Sequence, residues 1–270
     1  MKRIGVCGCG NMGEVLVESA KSLVGSKNVF CFDIDSLKLK RIRNQYNVQV
    51  VKSNIELVEK SDVFIVAVKP QQIKELFNEI SRVVDKNKVV VSIAAGIKIK
   101  TISSFLCGEI QIIRAMPNLP LKVGSGVTAI CKNKFCTEKN YLFVKQLFEK
   151  KGVVIEIPET KMDLITAFSG SGPAYIFYIA EILERVANKL GLPKRVIPIV
   201  VNYTILGAAE MLVKQKLQAK VLKDAVTSKG GTTEQALKVF YENNLDGIFF
   251  KAVNKAFLRA KELSQLLSKG

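Results

Sequence analysis

The sequence predicts an α/β fold in two parts, a doubly wound sheet over residues 1–160 followed by an all-helical domain over residues 161–270. Three observations carry this prediction. Short apolar runs alternate with helical stretches in the first part, and the strand pattern stops at about Lys161. The runs FIVAV and VVVSI are apolar on both alternations, which is typical of strands that helices cover on both faces of the sheet.

Eight apolar runs are predicted to be strands. They are Arg3–Cys7, Asn28–Phe32, Val48–Val51, Asp62–Val68, Lys88–Ile93, Gln111–Arg114, Val127–Cys131 and Val153–Ile157. Helical stretches such as Met12–Leu23, Gln71–Val84 and Thr137–Lys151 lie between them. Because strand and helix alternate along the chain, we expect the strands to run parallel.

The second part is predicted to be helical to its end, after a short linker at Pro158-Glu159-Thr160. The predicted helices are Lys161–Phe168, Pro173–Leu190, Pro193–Lys214, Lys220–Thr227, Thr233–Asn243 and Asp246–Leu267. One segment, Val196–Val213, is apolar over 18 residues and passes for a membrane span by length. It contains Asn202, Thr204 and Glu210, which a lipid-facing helix hides poorly. We therefore expect no membrane span, and a helix that is buried between subunits.

Composition narrows the function classes. The chain is 48% hydrophobic and 24% charged, which excludes a disordered chain and a disulfide-stapled miniprotein. The net charge of +17 is spread along the chain, so no nucleic-acid-binding arm is indicated. Histidine is absent, which excludes Ser-His and Cys-His nucleophilic machinery and most zinc sites, and no metal is expected. The cysteines lack CxxC spacing and the N-terminus lacks signal-peptide order, so the cytoplasm is the expected compartment.

The segment Gly8-Cys9-Gly10-Asn11-Met12-Gly13 follows the strand RIGVC and opens a helix. In that context Gly8 permits a tight turn, Gly10 lets the backbone approach a pyrophosphate, and Gly13 lets helix and strand pack closely. The helix N-terminus then offers unpaired N–H groups and a positive dipole to the phosphates. The first part is therefore predicted to be a Rossmann-type dinucleotide-binding domain.

Asp33 ends the second predicted strand, in VFCFDID. An acidic residue there accepts hydrogen bonds from the ribose 2′-OH and repels a 2′-phosphate, which favours NADH over NADPH. The alternative is that Asp33 or Asp35 merely caps the following helix. Lys38, Lys40 and Arg41 lie close by and are able to serve a phosphate. Either cofactor is thus expected, with a lean to NADH.

Two further motifs lie in the second part. Ser169-Gly170-Ser171-Gly172-Pro173-Ala174-Tyr175 interrupts the helical pattern, either as a site or as a plain connection between helices. Ser228-Lys229-Gly230-Gly231-Thr232-Thr233-Glu234-Gln235 precedes a helix, and Thr232 and Gln235 have the spacing of a capping box. Converging amides at the glycine pair predict a small anion site suited to a carboxylate; the alternative is an ordinary capped helix start.

Six segments together resemble the pyrroline-5-carboxylate reductase family over essentially the whole chain. They are IGVCGCGNMG (4–13), VAVKPQ (66–71), VVVSIAAGI (89–97), IIRAMPNLP (112–120), AFSGSGPAYIF (167–177) and LKDAVTSKGGTTEQAL (222–237). The resemblance implies an NAD(P)H-dependent reductase that converts 1-pyrroline-5-carboxylate to L-proline. It also implies a homodimer with interlocked helical domains, which often assembles further.

The resemblance also implies functional positions. Beside Gly8, Gly10, Asn11 and Gly13 in the glycine motif, the residues that match the dinucleotide cleft are Met12, Lys69, Pro70, Ala94 and Asn118. The residues that match the substrate loop are Ser228, Gly230, Gly231, Thr232 and Thr233, whose amides and hydroxyls hold the pyrroline carboxylate. Thr233 matches the hydroxyl beside the ring nitrogen and is the predicted catalytic residue.

Four residues depart from the family pattern. Lys229 replaces the proline of the usual Ser-Pro-Gly-Gly loop, and Gln218-Ala219 replaces a His-Pro pair. Glu234 stands where an apolar residue is more usual. These changes bear on loop rigidity and substrate preference more than on the class of reaction.

Other functions remain open at this point. A β-hydroxyacid dehydrogenase shares the two-domain plan, but it needs an acid/base such as a lysine on the first helix of the second domain, where only Lys161 stands near the start. A reductase of another cyclic imine is also compatible with the sequence. A dinucleotide-sensing or nucleic-acid-binding protein without catalysis is disfavoured by the dispersed charge and the Gly230-Gly231-Thr232-Thr233 loop.

Overall fold

The structure is a computed structural model that describes residues 1–269. The chain divides into two compact units. The first comprises Met1–Ser171 together with the stretch from Ala256 on, and the second comprises Gly172–Lys255. These units do not test the predicted domain boundary between residues 160 and 161, which stays a prediction.

The first unit contains an eight-stranded sheet in the order β3-β2-β1-β4-β5-β6-β7-β8. Its strands are β1 (Ile4–Cys7), β2 (Val29–Phe32), β3 (Gln49–Val50), β4 (Val63–Val66), β5 (Val89–Ser92), β6 (Gln111–Pro117), β7 (Gly126–Lys132) and β8 (Gly152–Glu156). Each coincides with one of the eight predicted runs. The predicted Rossmann-type sheet is confirmed.

One strand pair corrects the expectation that all strands are parallel. β6 and β7 pair antiparallel, whereas the other six pairs are parallel. The connection from Asn118 to Ser125 holds only a short 3₁₀ turn, Leu119–Val123. Because a parallel return needs a crossover of a dozen or more residues, so short a link reverses the chain direction.

Helices cover both faces of the sheet. They are α1 (Asn11–Val24), α2 (Ser36–Tyr46), α3 (Asn54–Lys60), α4 (Ile73–Ile80), α5 (Ile99–Phe105) and α6 (Glu138–Glu149). On one face Ile65 of β4 joins a buried cluster with α1, α2 and α6; on the other its neighbours Phe64 and Val66 join a cluster with α3, α4 and α5. Burial on both faces explains the unbroken apolar runs in the sequence.

The remainder is helical, as predicted. It contains α7 (Met162–Ile165), α8 (Gly172–Lys189), α9 (Ile197–Gln215), α10 (Ala219–Ala225), α11 (Thr232–Glu242) and α12 (Leu245–Lys269). The predicted interruption after α7 is a π-helical turn at Thr166–Gly170, in which the Ser171 N–H donates to the carbonyl of Thr166 at 2.9 Å. Pro173 follows in the first turn of α8, where its missing N–H costs no hydrogen bond.

α9 has an unusual surface. Among the described residues, it is the one helix long and apolar enough to cross a membrane by length and composition. Within the single chain only its Ile197 and Val201 are buried, while Ile199, Tyr203 and Leu206 are exposed. The exposed three share one helical stripe, since they lie at i, i+4 and i+7.

Candidate active site

The glycine motif between β1 and α1 has the geometry that its spacing predicts. Gly8 adopts φ +94°, and a Cβ there would lie 2.7 Å from the Ala67 carbonyl oxygen. A Cβ on Gly13 would lie 1.8 Å from the carbonyl oxygen of Gly8, so this glycine permits the helix to pack against the loop. A Cβ on Gly10 would meet nothing within 4 Å. Packing therefore accounts for Gly8 and Gly13, whereas the backbone at Gly10 is left open.

The N-terminus of α1 adjoins this open face. Its first intrahelical hydrogen bond runs from Glu14 N to the Gly10 carbonyl at 2.9 Å, so the amides of Asn11, Met12 and Gly13 precede the helical ladder. The Lys122 ammonium donates to Asn11 Oδ1 at 3.0 Å. The helix dipole and this ammonium together make the loop a site for an anion.

Asp33 is drawn into the loop rather than held out to solvent. Its side chain is 8% exposed. One carboxylate oxygen accepts from Cys9 N at 2.6 Å and the other from Asp35 N at 2.9 Å. The cap on α2 belongs instead to Asp35, which accepts from the amides of Leu37 and Lys38. Of the two roles open in the sequence, capping the helix therefore falls to Asp35, and Asp33 braces the glycine loop.

Two of the three cations near Asp33 in the sequence, Lys38 and Arg41, are already paired. Lys38 Nζ lies 3.8 Å from the Asp33 carboxylate and 3.4 Å from that of Asp35. Arg41 pairs with Glu14 at 2.6 Å. The group formed by Asp33, Asp35 and Lys38 thus carries one net negative charge. The amides of Lys38 and Leu37 and the ammonium of Lys38 lower the pKa of the Asp35 carboxyl, with the amide of Lys38 the largest cause, so it is ionised at neutral pH.

A cleft of about 400 Å³ opens beside the loop. Its lining includes Gly8, Gly10, Asp33, Lys38, Asn54 and Lys69. Asn54 was not predicted from the sequence. Its side-chain Oδ1 accepts from Cys7 Sγ at 3.0 Å and its side-chain Nδ2 donates to Glu79 Oε2 at 2.8 Å. These two contacts fix the orientation of the side chain. Burial, followed by the charges of Asp33 and Glu79, raises the pKa of the Cys7 thiol to about 12, so it remains a donor.

The other predicted cofactor residues follow the carboxyl ends of neighbouring strands. Lys69 and Pro70 come after β4, Ala94 after β5 and Asn118 after β6, which places them along one edge of the sheet. Ligands of open α/β sheets bind at that edge. Asn118 is buried and accepts from Val127 N at 2.8 Å, while its amide donates to Ser169 Oγ at 3.2 Å. Its side chain therefore also fixes the start of β7.

The predicted substrate loop lies in the second unit, ahead of α11. Gly230 adopts φ +74°, and the Gly231 N–H donates to the Ser228 carbonyl at 3.0 Å. The predicted capping box is wrong, because Gly231 is the N-cap and α11 begins at Thr232. No side chain accepts a capping hydrogen bond at Gly231. Glu234 Oε2 instead accepts from the N–H of Gly230, the residue before the N-cap, at 2.7 Å. The amides of Thr232 and Thr233 stand in the first turn of the helix.

Comparison with known proteins bears on both units. The family model for pyrroline-5-carboxylate reductase dimerisation matches residues 159–263. A pyrroline-5-carboxylate reductase from Arabidopsis thaliana is 35% identical over 268 residues, covering 97% of this chain and 96% of the relative. The chain belongs to the pyrroline-5-carboxylate reductase family.

Solved structures of the pyrroline-5-carboxylate reductase family share the fold. A pyrroline-5-carboxylate reductase from Coxiella burnetii has a TM-score of 0.90 at 34% identity, covering 97% of this chain and 98% of its own. The Plasmodium falciparum pyrroline carboxylate reductase, whose structure has NADP bound, has a TM-score of 0.87 at 29% identity, covering 97% of this chain and 98% of its own. The model for NADP oxidoreductases, coenzyme F420-dependent, matches residues 3–96, which include the glycine motif. A nicotinamide cofactor for this chain follows from these matches.

Proposed function

We propose that the protein reduces the C=N bond of 1-pyrroline-5-carboxylate with NAD(P)H and gives L-proline. A bound nicotinamide would supply the hydride for C5 of the ring, and the ring nitrogen would carry the proton. Because a protonated imine is already an activated electrophile, the reaction needs orientation in a water-poor site more than a strong protein acid. A chain without histidine suits this chemistry, and no metal enters the proposal.

The observation that carries the proposal is the loop at Gly10. Its backbone is open where Gly8 and Gly13 are closed by packing. Gly10 is also the N-cap of α1 and so lies at the positive end of the helix. A pyrophosphate satisfies that arrangement. The residues we assign to the cofactor are Gly8, Gly10, Asn11, Met12, Gly13, Asp33, Lys69, Pro70, Ala94 and Asn118.

Lys122 is a further cofactor contact that we assign from the structure. Its ammonium donates a hydrogen bond to Asn11 Oδ1, in the glycine motif, at 3.0 Å. A pyrophosphate on the α1 amides comes within reach of this group, which supplies positive charge that the helix dipole alone does not.

We infer a preference for NADH. A 2′-phosphate beside Asp33 and Asp35 would be repelled by two carboxylates. Lys38, which could offset this repulsion, already pairs with both of them. A ribose 2′-OH, in contrast, donates to a carboxylate without a charge cost. The NADP in the Plasmodium falciparum structure belongs to a chain that is 29% identical to this one, so it does not decide the preference here.

We assign the substrate carboxylate to the loop Ser228–Thr233. Gly230 and Thr232 offer amides, while Gly231, whose N–H donates to the Ser228 carbonyl, shapes the turn of the loop. Ser228 and Thr232 offer hydroxyls, and Thr233 is the catalytic residue whose hydroxyl orients the ring nitrogen. The support is the match of these positions to the family loop, together with the position of Thr232 and Thr233 at the N-terminus of α11.

We propose that the enzyme is a cytoplasmic homodimer in which the helical domains interlock. The exposed stripe of α9, with Ile199, Tyr203 and Leu206, supports burial against a second copy of the chain. The dimerisation model covers this helix. All six cysteines are free, in keeping with a reducing compartment.

A substrate panel with two variants of Thr233 tests the proposal. Purified protein is assayed for NAD(P)H oxidation with pyrroline-5-carboxylate and with a six-membered cyclic imine carboxylate, and for NAD(P)+ reduction with a β-hydroxyacid. We expect turnover on pyrroline-5-carboxylate, a loss of about tenfold or more in kcat for Thr233→Ala, and retention for Thr233→Ser, which keeps the hydroxyl. Turnover confined to another substrate contradicts the proposal, and unchanged kcat in Thr233→Ala removes Thr233 from the mechanism.

A further inference from the structure

The amide of Gly230 already holds a carboxylate, and it is the chain's own. Glu234 Oε2 accepts from Gly230 N at 2.7 Å, across one turn at the start of α11. Gly230 is among the residues we assign to the substrate carboxylate. The loop and the Gly230 side of the contact are exposed, so a ligand from solvent has access to the same N–H.

We infer that Glu234 competes with the carboxylate of the substrate for the Gly230 amide and so sets the affinity of the loop for anions. The inference rests on the proposed function, because it concerns the same loop. An amide has one hydrogen to donate, so the two carboxylates do not share it at full strength.

Either response of Glu234 to the substrate weakens binding. If Glu234 stays on Gly230, a second carboxylate enters beside a like charge. If Glu234 leaves, it gives up a charge-assisted hydrogen bond. Lys238 offers the Glu234 side chain an alternative partner. It lies four residues further along α11, and a Glu followed by a Lys at i+4 is a favourable helical pair. Lys238 is otherwise loosely engaged, with its ammonium 3.9 Å from Glu242.

The same competition acts on the product. Proline carries the carboxylate of the substrate, so Glu234 displaces both from Gly230 with equal effect. The expected signature is therefore a parallel change in the KM for pyrroline-5-carboxylate and in the inhibition constant of proline. The KM for 1-pyrroline, a cyclic imine without a carboxylate, is unaffected because this substrate does not bind the Gly230 amide.

The test compares Glu234→Ala and Glu234→Gln with Glu109→Gln. Glu109 is exposed, lies between α5 and β6 and away from α11, and its substitution changes the net charge equally. We expect Glu234→Ala to lower the KM for pyrroline-5-carboxylate and the inhibition constant of proline by about three- to tenfold, as for one charge-assisted hydrogen bond at an exposed site. Glu234→Gln, a neutral acceptor, gives a smaller decrease and serves also if the alanine variant folds poorly. Glu109→Gln leaves both constants unchanged, and the KM for 1-pyrroline is the same in all variants.

Two outcomes contradict the inference in different ways. If the wild-type enzyme reduces pyrroline-5-carboxylate but both Glu234 variants show an unchanged or raised KM, the competition is wrong and the proposed function stands. If the wild-type enzyme binds NADH but does not reduce pyrroline-5-carboxylate, the proposed function fails and the inference fails with it.

Discussion

The carboxylate of Asp33 accepts a hydrogen bond from the backbone N–H of Cys9 at 2.6 Å, which ties the end of β2 to the glycine loop after β1. The second carboxylate oxygen of Asp33 holds the amide of Asp35. One buried acid thus fixes both the glycine loop, to which we assign the pyrophosphate, and the turn after β2, to which we assign the adenosine ribose. The shape of the cofactor site and its charge depend on the same side chain.

Gly10→Ala and Gly13→Ala are expected to separate ligand binding from folding. A methyl at Gly10 enters open space, so the thermal stability stays near that of the wild type while the Kd for NADH rises by about tenfold or more. A methyl at Gly13 collides with the Gly8 carbonyl oxygen, so the free energy of unfolding falls by about 3 kcal/mol or more. Calorimetric titration with NADH and thermal unfolding measure the two effects. Wild-type affinity in Gly10→Ala contradicts the assignment of the pyrophosphate to this loop.

Asp35→Ser is expected to shift the cofactor preference towards NADPH. Serine keeps a side-chain acceptor for the N-cap of α2, so the helix start is preserved, but it removes one of the two carboxylates that hold Lys38. We expect the ratio of kcat/KM for NADPH to that for NADH to rise by about tenfold, which is about 1.4 kcal/mol. Adding Lys38→Ala to Asp35→Ser cancels the gain if Lys38 is the phosphate contact. A ratio that does not change removes Asp35 from the choice of cofactor.

Lys122→Ala is expected to weaken the binding of either cofactor. We assign this ammonium, which donates to Asn11, one charged contact to the pyrophosphate, so its loss is expected to raise the Kd by about three- to tenfold and to make it less dependent on salt concentration. Lys27→Ala is the matched control, since it removes an exposed lysine from the turn that precedes β2, at the other edge of the sheet. Equal effects of the two substitutions mean that Lys122 acts only through net charge.

The features that the sequence predicted correctly are those that depend on residues close together in the chain. Strand runs follow from burial on both faces, and the roles of Gly8 and Gly13 follow from the tight strand–turn–helix connection. The antiparallel pair of β6 and β7 also had a local signal, because no helical stretch separates Arg114 from Val127. The contact between Lys122 and Asn11 had none, since 111 residues separate them and only the sheet order brings them together.

The capping box at α11 failed for a different reason. The spacing of Thr232 and Gln235 fits the motif, but the chain turns through the left-handed conformation at Gly230, and this places the N-cap one residue earlier. Glu234 then lies at the third helical position, from which an acidic side chain reaches back to the preceding amides. Spacing alone does not distinguish these two registers.

Alkaline pH is expected to destabilise the fold through buried thiols. Burial, more than the charges of Asp33 and Glu79, raises the pKa of Cys7 from its ordinary value of 9.0 to about 12. The folded thiol therefore keeps its proton while the unfolded one loses it, so this contribution to stability is complete below pH 9.0 and is lost as the pH rises towards 12. Thermal unfolding from pH 8 to 11 measures the decline, and Cys7→Ser, which keeps a donor to Asn54, makes it shallower. An equal decline in the variant shows that Cys7 does not contribute.

Substitutions on α9 are expected to disrupt self-association. Leu206→Asp places a charge in the exposed stripe with Ile199 and Tyr203, whereas Gln215→Glu adds the same charge at the end of the helix. Light scattering is expected to give the wild type and Gln215→Glu a mass of at least twice the 29.8 kDa chain, and Leu206→Asp the mass of one chain or an aggregate. A dimer of unchanged stability in Leu206→Asp excludes the stripe from the interface.

Transfer of deuterium tests the central claim most directly. The protein is incubated with pyrroline-5-carboxylate and NADH that carries deuterium at C4 of the nicotinamide on the transferred face, and with the same label on the opposite face as the control. We expect proline with one deuterium at C5, detected by mass spectrometry and NMR, from one labelled face only. Oxidation of NADH without label in proline, or no oxidation by a protein that binds NADH, contradicts the assignment of this chain as the reductase of that C=N bond.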